Sequence, residues 1–367
     1  IPDTAAAGRS RARNLLWHLS PVGLMFKENL EARYYTDPDI YRQEQTGIFN
    51  TSWQLVAPRS HFVEKGDYVA TEIAGTKVFV VLDEGGQLRG FRNLCRHRGA
   101  MLLKPGQGRC RSIRCPYHNW IYRLDGSLER TPWFSEDEPL SLEDWPLHPV
   151  SVTLWRGLVF ACLESGATLT DQLGGLLSEI EKDPIEEYHW AERRTLVFDA
   201  NWKIYTDNFV EGYHIPGIHP EFFQAIDFEQ FETSANDNLV RMTAPTKGNL
   251  FYRGRWLWMW PNWTLSFFNG GMNTSRINPL GVDRTELIYD FYFADVSDAT
   301  SDKRQETIQR NITVIEQDFD ICMHTHQNYL SGGYQPGPLS PRHEKGVHLF
   351  QELVKQHIGK ACEALTG

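Results

Sequence analysis

Short, largely apolar runs of the kind found in β-strands dominate the chain between about residues 48 and 165. Glycine-containing turns separate them, for example at Glu84-Gly85-Gly86 and Asp125-Gly126. The stretches are Tyr68–Ile73, Lys77–Leu82, Ser112–Cys115, Trp120–Leu124 and Gly157–Leu163. Brief runs of this kind, bounded by turn residues, are typical of β-strands joined in hairpins. The pattern predicts a small antiparallel β domain.

The second half of the chain combines helical and strand patterns. Residues 167–190 are expected to hold a helix and a linker, and Asn201–Tyr213 has helical spacing. Leu250–Phe268 and Glu286–Phe293 have the composition of strands. In Asp302–Leu330, apolar residues at steps of four and three predict a long amphipathic helix. Its apolar face is expected to carry Ile308, Ile312, Ile315, Phe319 and Cys322.

These patterns divide the chain into three segments and predict an α+β fold. Residues 1–47 are expected to form an N-terminal helical segment, and residues 48–165 an all-β domain. Residues 166–367 are expected to form an α+β domain on which the N-terminal segment packs.

Charge and hydropathy exclude two classes of function. The chain has 367 residues, a formal net charge of −10 and no block of Lys or Arg, so it lacks the basic surface that binds nucleic acid. Its longest apolar runs, such as Val78–Leu82, are too short to span a membrane. Residues 15–26 are apolar but contain His18 and Pro21, and we do not expect a signal peptide there. The expected location is the cytoplasm.

Two short motifs each combine a cysteine with a histidine. Cys95-Arg96-His97 is followed, after 17 intervening residues, by Cys115-Pro116-Tyr117-His118. Thiolates bind iron–sulfur clusters, and in a Rieske cluster two histidines replace two cysteines on one iron. A structural zinc site is the alternative, but zinc fingers usually separate a cysteine pair from a histidine pair. The mixed pattern favours a [2Fe–2S] cluster, with Cys95 and Cys115 on one iron and His97 and His118 on the other.

Longer segments around these motifs resemble the Rieske domain of the Rieske non-haem iron oxygenases. They are NLCRHRGAMLL (93–103) and CPYHNWIYRLDGSL (115–128). The resemblance implies an all-β Rieske domain beside a catalytic, helix-grip-like domain with a curved antiparallel sheet and a long C-terminal helix. It also implies that the catalytic domain binds one mononuclear Fe(II), with O₂ as co-substrate.

Residues 201–220 contain the side chains for this second metal site. Asp207, Glu211 and His214 follow one another at steps of four and three, so we expect them on one helical face. His219 follows five residues after His214. Two histidines and a distant carboxylate can form the facial triad of Fe(II) oxygenases, which leaves coordination positions open for O₂.

The carboxylate is expected on the long helix, where Glu316, Asp318 and Asp320 are candidates. Helical phase disfavours Asp320, which points away from the apolar face, but it does not separate Asp318 from Glu316. The spacing in the family that the chain resembles selects Asp318.

The stretch NFVEGYHIPGIH (208–219) resembles the family motif NxxExYHxxxxH. The resemblance implies that His214 and His219 bind the mononuclear iron. It also implies that Glu211 bridges an iron-ligating histidine and a cluster histidine of a neighbouring subunit, in a head-to-tail homotrimer. A carboxylate between two imidazole N–H groups fixes both tautomers and gives electrons a short route. Most aromatic dioxygenases carry aspartate at this position, whereas the branch acting on quaternary ammonium compounds shares the glutamate.

Three tryptophans, Trp256, Trp258 and Trp260, alternate along the expected strand and should therefore lie on one face. One interpretation is an aromatic lining that binds a cationic substrate through its π-faces. The other is a packed core or trimer interface. The segment 261–281 also resembles the branch that includes choline, glycine-betaine and carnitine oxygenases.

The chain lacks a GxGxxG nucleotide-binding motif and a ferredoxin-type cysteine run. A separate NAD(P)H-dependent reductase, with flavin and iron–sulfur groups, is therefore expected to supply electrons. The expected reaction is hydroxylation of a small organic substrate, with a quaternary ammonium N-alkyl group favoured over an aromatic ring. A non-catalytic Rieske electron carrier and a zinc-stabilised binding protein are the alternatives from other classes.

Overall fold

The computed structural model describes residues 27–135, 140–164, 166–247 and 252–366, with side chains to residue 358. The apolar stretch 15–26 and most of the predicted N-terminal segment lie outside the described residues. Within the described ranges, no helix combines the length and the apolarity that crossing a membrane requires.

The strands form three antiparallel sheets. In chain order they are β1 (Gln54–Pro58), β2 (Asp67–Ile73), β3 (Thr76–Leu82), β4 (Leu88–Arg92), β5 (Gly106–Arg109), β6 (Ile113–Arg114), β7 (Ile121–Tyr122), β8 (Leu128–Arg130), β9 (Pro149–Trp155), β10 (Leu158–Cys162), β11 (His189–Phe198), β12 (Glu232–Asn236), β13 (Leu239–Thr243), β14 (Tyr252–Met259), β15 (Trp263–Phe268), β16 (Gly271–Pro279) and β17 (Thr285–Phe293).

The first of these sheets has the order β1-β10-β9-β4-β3-β2-β5, and β6, β7 and β8 form a small sheet beside it. Its inner strand β3 buries every residue from Val78 to Leu82, because one face meets the rest of the molecule and the other covers the small sheet. The two cysteine–histidine motifs lie in the turns that follow β4 and β6. The predicted β domain is therefore present, with more strands than the pattern indicated.

The third sheet has the order β11-β17-β16-β15-β14-β13-β12. The helices are α1 (Arg33–Thr36), α2 (Pro38–Glu44), α3 (Leu169–Leu173), α4 (Leu176–Glu179), α5 (Trp202–Phe209), α6 (Ile215–Ile218), α7 (Pro220–Ala225), α8 (Ser301–Leu330) and α9 (Lys345–Thr366). Apolar residues of α5, α8 and α9 share one core with one face of this sheet, whereas those of α3 and α4 share another core with its opposite face. This arrangement is the α+β catalytic domain with a curved sheet that the resemblance implied.

The long helix α8 confirms the predicted amphipathic element. Ile308, Ile312, Ile315 and Cys322 are buried, and Phe319 is partly buried against the same core. A second long helix, α9, follows it, and the apolar pattern of the sequence did not predict it.

Two further expectations are corrected. Helix α5 ends at Phe209, because Val210 leaves the helical conformation, so Asp207, Glu211 and His214 do not share one helical face. Asp207 instead bonds Tyr35 and Gln351 in the interior. The expected strand 250–268 is two strands, separated by a turn at Trp260, Pro261 and Asn262.

Charged side chains in the interior connect α2 to α5. Lys203 Nζ lies 2.5 Å from Glu44 Oε1, and the Trp202 indole N–H donates to Glu44 Oε2 at 2.8 Å. Burial raises the pKa of Glu44, and the ammonium of Lys203 opposes that rise. Removal of either partner would leave an uncompensated charge in the core, so this pair fixes the position of α5, which leads directly into the histidine motif.

Candidate metal centres

The two cysteine–histidine loops have the same backbone turn. In the first, the N–H of Gly99 donates to the carbonyl of Cys95 at 2.9 Å; in the second, Asn119 donates to Cys115 at 3.1 Å. Gly99 and Asn119 both have positive φ, 72° and 58°. Glycine and asparagine tolerate this left-handed conformation best. The two loops thus share one backbone conformation and direct their cysteine and histidine side chains towards the same region.

The four side chains separate into a thiol pair and an imidazole pair. The Nδ1 atoms of His97 and His118 lie 3.1 Å apart, and both rings are partly exposed. Cys95 and Cys115 are buried and interact with each other. Burial raises the pKa of the Cys95 thiol, so a bound metal is needed to hold it as thiolate.

This donor set fits a two-iron cluster better than a single zinc ion. These four side chains are not among the described groups of three or more ligands that could hold one metal ion. Zinc requires four donors around one ion, whereas a Rieske cluster requires one pair on each iron. The Tyr122 hydroxyl lies 3.3 Å from Cys95 Sγ, and the ring of His97 stacks on Trp120 with centroids 4.9 Å apart.

A second group of donors lies in the catalytic domain. Its members are His214, His219 and Asp318, whose ligand atoms lie within 4.8 Å of one another. Asp318 Oδ1 is 3.0 Å from His219 Nε2 and 3.8 Å from His214 Nε2. This oxygen is buried and makes no hydrogen bond of acceptable geometry. A buried carboxylate oxygen without a hydrogen bond, facing two imidazole nitrogens, fits a divalent metal ion.

The carboxylate candidates on α8 differ in position. Asp318 is buried and faces the histidines, whereas Glu316 and Asp320 are exposed. The structure therefore brings Asp318 into the group and leaves Glu316 outside it, a distinction that helical phase alone did not make.

The Nδ1 atoms of His214 and His219 each lie within hydrogen-bonding distance of a side-chain oxygen. Glu211 Oε1 lies 2.5 Å from His214 Nδ1, and Gln317 Oε1 lies 2.7 Å from His219 Nδ1. Burial lowers the pKa of His214, but the Glu211 carboxylate outweighs burial and raises it. With Nδ1 acting as a donor, each ring directs the lone pair of Nε2 towards Asp318, as a metal ligand requires.

Glu211 occupies the boundary between two cavities. Its Oε2 accepts hydrogen bonds from the backbone N–H groups of Tyr213 and His214. Besides the metal-site cavity, it lines a more open one that Asn208 and Glu344 also line. Glu211 thus contacts His214 and is a lining residue of both cavities.

The cavity beside the three donors contains about 650 Å³ of space, part of it open to solvent. An aromatic cluster forms one wall, in which the ring of Trp256 lies 5.4 Å from Phe222, 5.5 Å from Tyr252 and 6.5 Å from Phe231, centroid to centroid. The charged groups of the lining are the carboxylates Glu211 and Asp318; no Lys or Arg is among the described lining residues.

The three alternating tryptophans lie on one face of the sheet, as predicted, but have different neighbours. Trp256 lines the cavity. Trp258 is fully buried against Phe350, and Trp260 packs on His357. Helix α9, which the sequence did not predict, covers Trp258 and Trp260, and neither is among the described residues that line the cavity. For these two residues the packed-core interpretation is favoured.

The site residues that were not predicted include Gln317, Tyr252, Asn273 and Asn311. Gln317 supports His219, while the other three form a hydrogen-bonded group in the cavity wall. Each has its partner far away in the sequence, and no local motif marks any of them. Only the adjacency of Gln317 to Asp318 could have indicated a role.

Comparisons with known proteins agree with this geometry. The family model "Rieske [2Fe-2S] domain" matches residues 52–146, and the model "Ring hydroxylating alpha subunit (catalytic domain)" matches residues 185–249 and 233–360. Choline monooxygenase of Atriplex hortensis is 26% identical over 88% of this chain and 76% of its own length. The carnitine monooxygenase oxygenase subunit of Escherichia coli K12 is 29% identical over 89% of this chain and 93% of its own.

Solved structures are similar along most of the chain. The quaternary ammonium Rieske monooxygenase CntA in complex with L-carnitine has a TM-score of 0.80 at 26% identity, and covers 90% of this chain and 96% of its own. Naphthalene 1,2-dioxygenase, with a TM-score of 0.76 at 18% identity, shares the fold alone. Since the two family models together match most of the chain and CntA shares the fold over nine-tenths of it, the chain belongs to the Rieske non-haem iron oxygenases.

Proposed function

We propose that this chain is the oxygenase component of a multicomponent system that hydroxylates an N-alkyl carbon of a quaternary ammonium compound. The observation that carries this proposal is the composition of the cavity. Its walls combine aromatic faces around Trp256 with the carboxylates Glu211 and Asp318, and they present no described cation. Aromatic faces attract a cation, and no Lys or Arg of the described lining opposes one.

The donor geometry supports two sets of ligands. We assign the four cluster ligands as Cys95, Cys115, His97 and His118, and the Fe(II) ligands as His214, His219 and Asp318. When bound, the two groups deliver electrons and activate O₂ beside the substrate. The chain itself orients both proposed iron-binding histidines, through Glu211 and Gln317.

The overall reaction inserts one oxygen atom of O₂ into a C–H bond, while the other leaves as water with two electrons and two protons. The resulting N–CH(OH) carbon then loses the amine and becomes an aldehyde. Electrons come from a separate NAD(P)H-dependent reductase. The partly exposed His97 and His118 support docking of that reductase at the cluster loops.

Electron transfer between the centres is proposed to cross a subunit boundary in a homotrimer. Glu211 supports this role, since it contacts His214 and also lines the second, more open cavity. A histidine at the cluster of a neighbouring subunit could reach the carboxylate from that side. Residues 48–165 and 166–367 would be the two domains of each subunit. The free state of the five described cysteines is compatible with a reducing location such as the cytoplasm.

The test is turnover with a panel of substrates. Reconstituted protein is supplied with reduced reductase, ¹⁸O₂ and either ammonium compounds or aromatic hydrocarbons. We expect one ¹⁸O atom in the product and aldehyde release from ammonium compounds only. A cis-diol from naphthalene, with no oxidation of any ammonium compound, would favour the aromatic-ring alternative. A colourless protein containing zinc would favour the binding-protein alternative.

A further inference from the structure

The orientation of an amide in the cavity wall is fixed by three hydrogen bonds. The Asn311 Nδ2 group donates to the carbonyl of Thr307 at 2.9 Å, one turn earlier on α8. Its Oδ1 accepts from the Tyr252 hydroxyl at 2.6 Å and from Asn273 Nδ2 at 3.0 Å. Because the nitrogen of Asn311 is committed to a carbonyl, its oxygen must face Asn273.

This arrangement leaves one acceptor without a partner. Since Asn273 offers Nδ2 to Asn311, its Oδ1 points elsewhere, and it has no hydrogen-bond partner in the structure. Asn273 is only 2% exposed and lines the metal-site cavity. A buried carbonyl oxygen without a donor is destabilising, so the site is built to receive a donor from a ligand.

The charges around this acceptor do not favour an anionic ligand group. The described lining contains the carboxylates of Glu211 and Asp318 and no Lys or Arg. A substrate carboxylate here would lose its water and face an unpaired acceptor, in a lining where Glu211 and Asp318 already balance the charge of the proposed Fe(II).

The acceptor and the aromatic wall belong to one continuous surface. Tyr252 donates to Asn311 through its hydroxyl, and its ring contacts both Trp256 and Phe222. A ligand whose cationic end lies on these rings can therefore extend towards Asn273 with its other end.

We propose that Asn273 is a specificity-determining residue whose Oδ1 accepts a hydrogen bond from a neutral donor, a hydroxyl group, at the end of the substrate away from the ammonium. The site thus selects ammonium alcohols over ammonium carboxylates. This inference rests on the proposed function and narrows its substrate class. The expected substrate of this chain therefore differs from the one in the name of the relatives called carnitine monooxygenase.

The test compares choline with propyltrimethylammonium, in which a methyl group replaces the hydroxyl. With wild-type protein we expect kcat/KM for choline to exceed that for the alkyl compound by about 10- to 100-fold, the loss expected when a buried acceptor stays unpaired. Glycine betaine and carnitine should be poorer substrates than choline. These wild-type measurements do not depend on whether any variant folds.

Asn273→Leu should abolish the preference for choline while it retains turnover of the alkyl compound. Thr274→Val is the matched control, since Thr274 is the next residue on β16, is equally buried and does not line the cavity. In the Thr274→Val variant, the ratio of kcat/KM for choline to kcat/KM for propyltrimethylammonium should equal that of the wild type.

Equal kcat/KM for choline and propyltrimethylammonium, or a preference for carnitine or glycine betaine over choline, would overturn this inference and leave the proposed function intact. Failure of every ammonium compound, with oxidation of an aromatic one, would overturn both.

Discussion

His219 is held between two consecutive residues of one helix. Gln317 Oε1 lies 2.7 Å from its Nδ1, and Asp318 Oδ1 lies 3.0 Å from its Nε2. Helix α8 thus supplies both a proposed iron ligand and the group that sets the tautomer of another. Displacement of this turn would disturb two of the three donors together.

Gln317→Leu removes the acceptor that holds the His219 Nδ1–H. We expect the affinity for Fe(II) to fall by about 10- to 100-fold, as is common when the partner of a ligating histidine is lost. Anaerobic Fe(II) titration measures it, and the cluster spectrum should not change. The exposed neighbour Glu316 provides the control Glu316→Gln; equal affinity in both variants would contradict the role of Gln317.

Glu211→Gln keeps an acceptor for His214 but removes the negative charge. Both metal centres should remain loaded, while oxidation of the pre-reduced cluster by O₂ in the presence of substrate slows by about tenfold or more. Stopped-flow absorbance follows this step. Glu344→Gln, in the same open cleft, should behave as the wild type. An unchanged rate in the Glu211 variant would rule out the bridging role.

Trp256 and Trp258 should respond differently to replacement by leucine. Loss of the Trp256 face should raise KM for an ammonium substrate by about 2- to 30-fold, because a cation–π contact is removed. Loss of the buried Trp258 should instead lower the free energy of unfolding by about 2 kcal/mol or more, with KM preserved. Steady-state kinetics and denaturant titration separate the two effects. A raised KM in both variants would contradict the assignment of Trp256 to the cavity and Trp258 to the core.

His61 predicts a pH dependence of stability. It is buried against Trp190, with ring centroids 4.5 Å apart, and neither ring nitrogen has a hydrogen-bond partner. Burial, assisted by the charge of Arg193, lowers the pKa of His61 to about 4. As pH falls below about 6.5 the unfolded chain binds this proton and the folded chain does not, so stability decreases. The loss should continue to about pH 4 and amount to roughly 3 kcal/mol at most.

Denaturant titrations between pH 4 and 7 measure the slope of the free energy of unfolding against pH. His61→Phe should flatten it, whereas His189→Phe, at an exposed position on β11, should not. A slope that persists in the His61 variant would assign the effect to other groups.

The sequence predicted those parts of the molecule whose information is local. The repeat of Ile308, Ile312 and Ile315 predicted α8, because a helix buries residues at that period. The cysteine–histidine motifs predicted the cluster loops, because each loop carries its ligands within four residues. Both signals depend on neighbouring positions alone.

The remaining features depend on tertiary contacts. Helix α5 ends before Glu211, although the spacing of its residues continues the helical period. Trp258 is covered by α9, from about ninety residues further along the chain, so alternation could not distinguish cavity from core. The Asn273–Asn311 pair joins β16 to α8 across 38 residues. Such pairings arise from how the sheet and helices pack, and no window of the sequence contains them.

The central claim is that one chain holds two different iron sites. Iron and acid-labile sulfide analysis of the fully loaded protein, with electron spin resonance after reduction, tests it most directly. The account predicts about three irons and about two sulfides per chain, a Rieske-type signal, and loss of about one iron without loss of that signal in His214→Ala. Absence of sulfide, or a wild-type iron content no higher than that of His214→Ala, would contradict it.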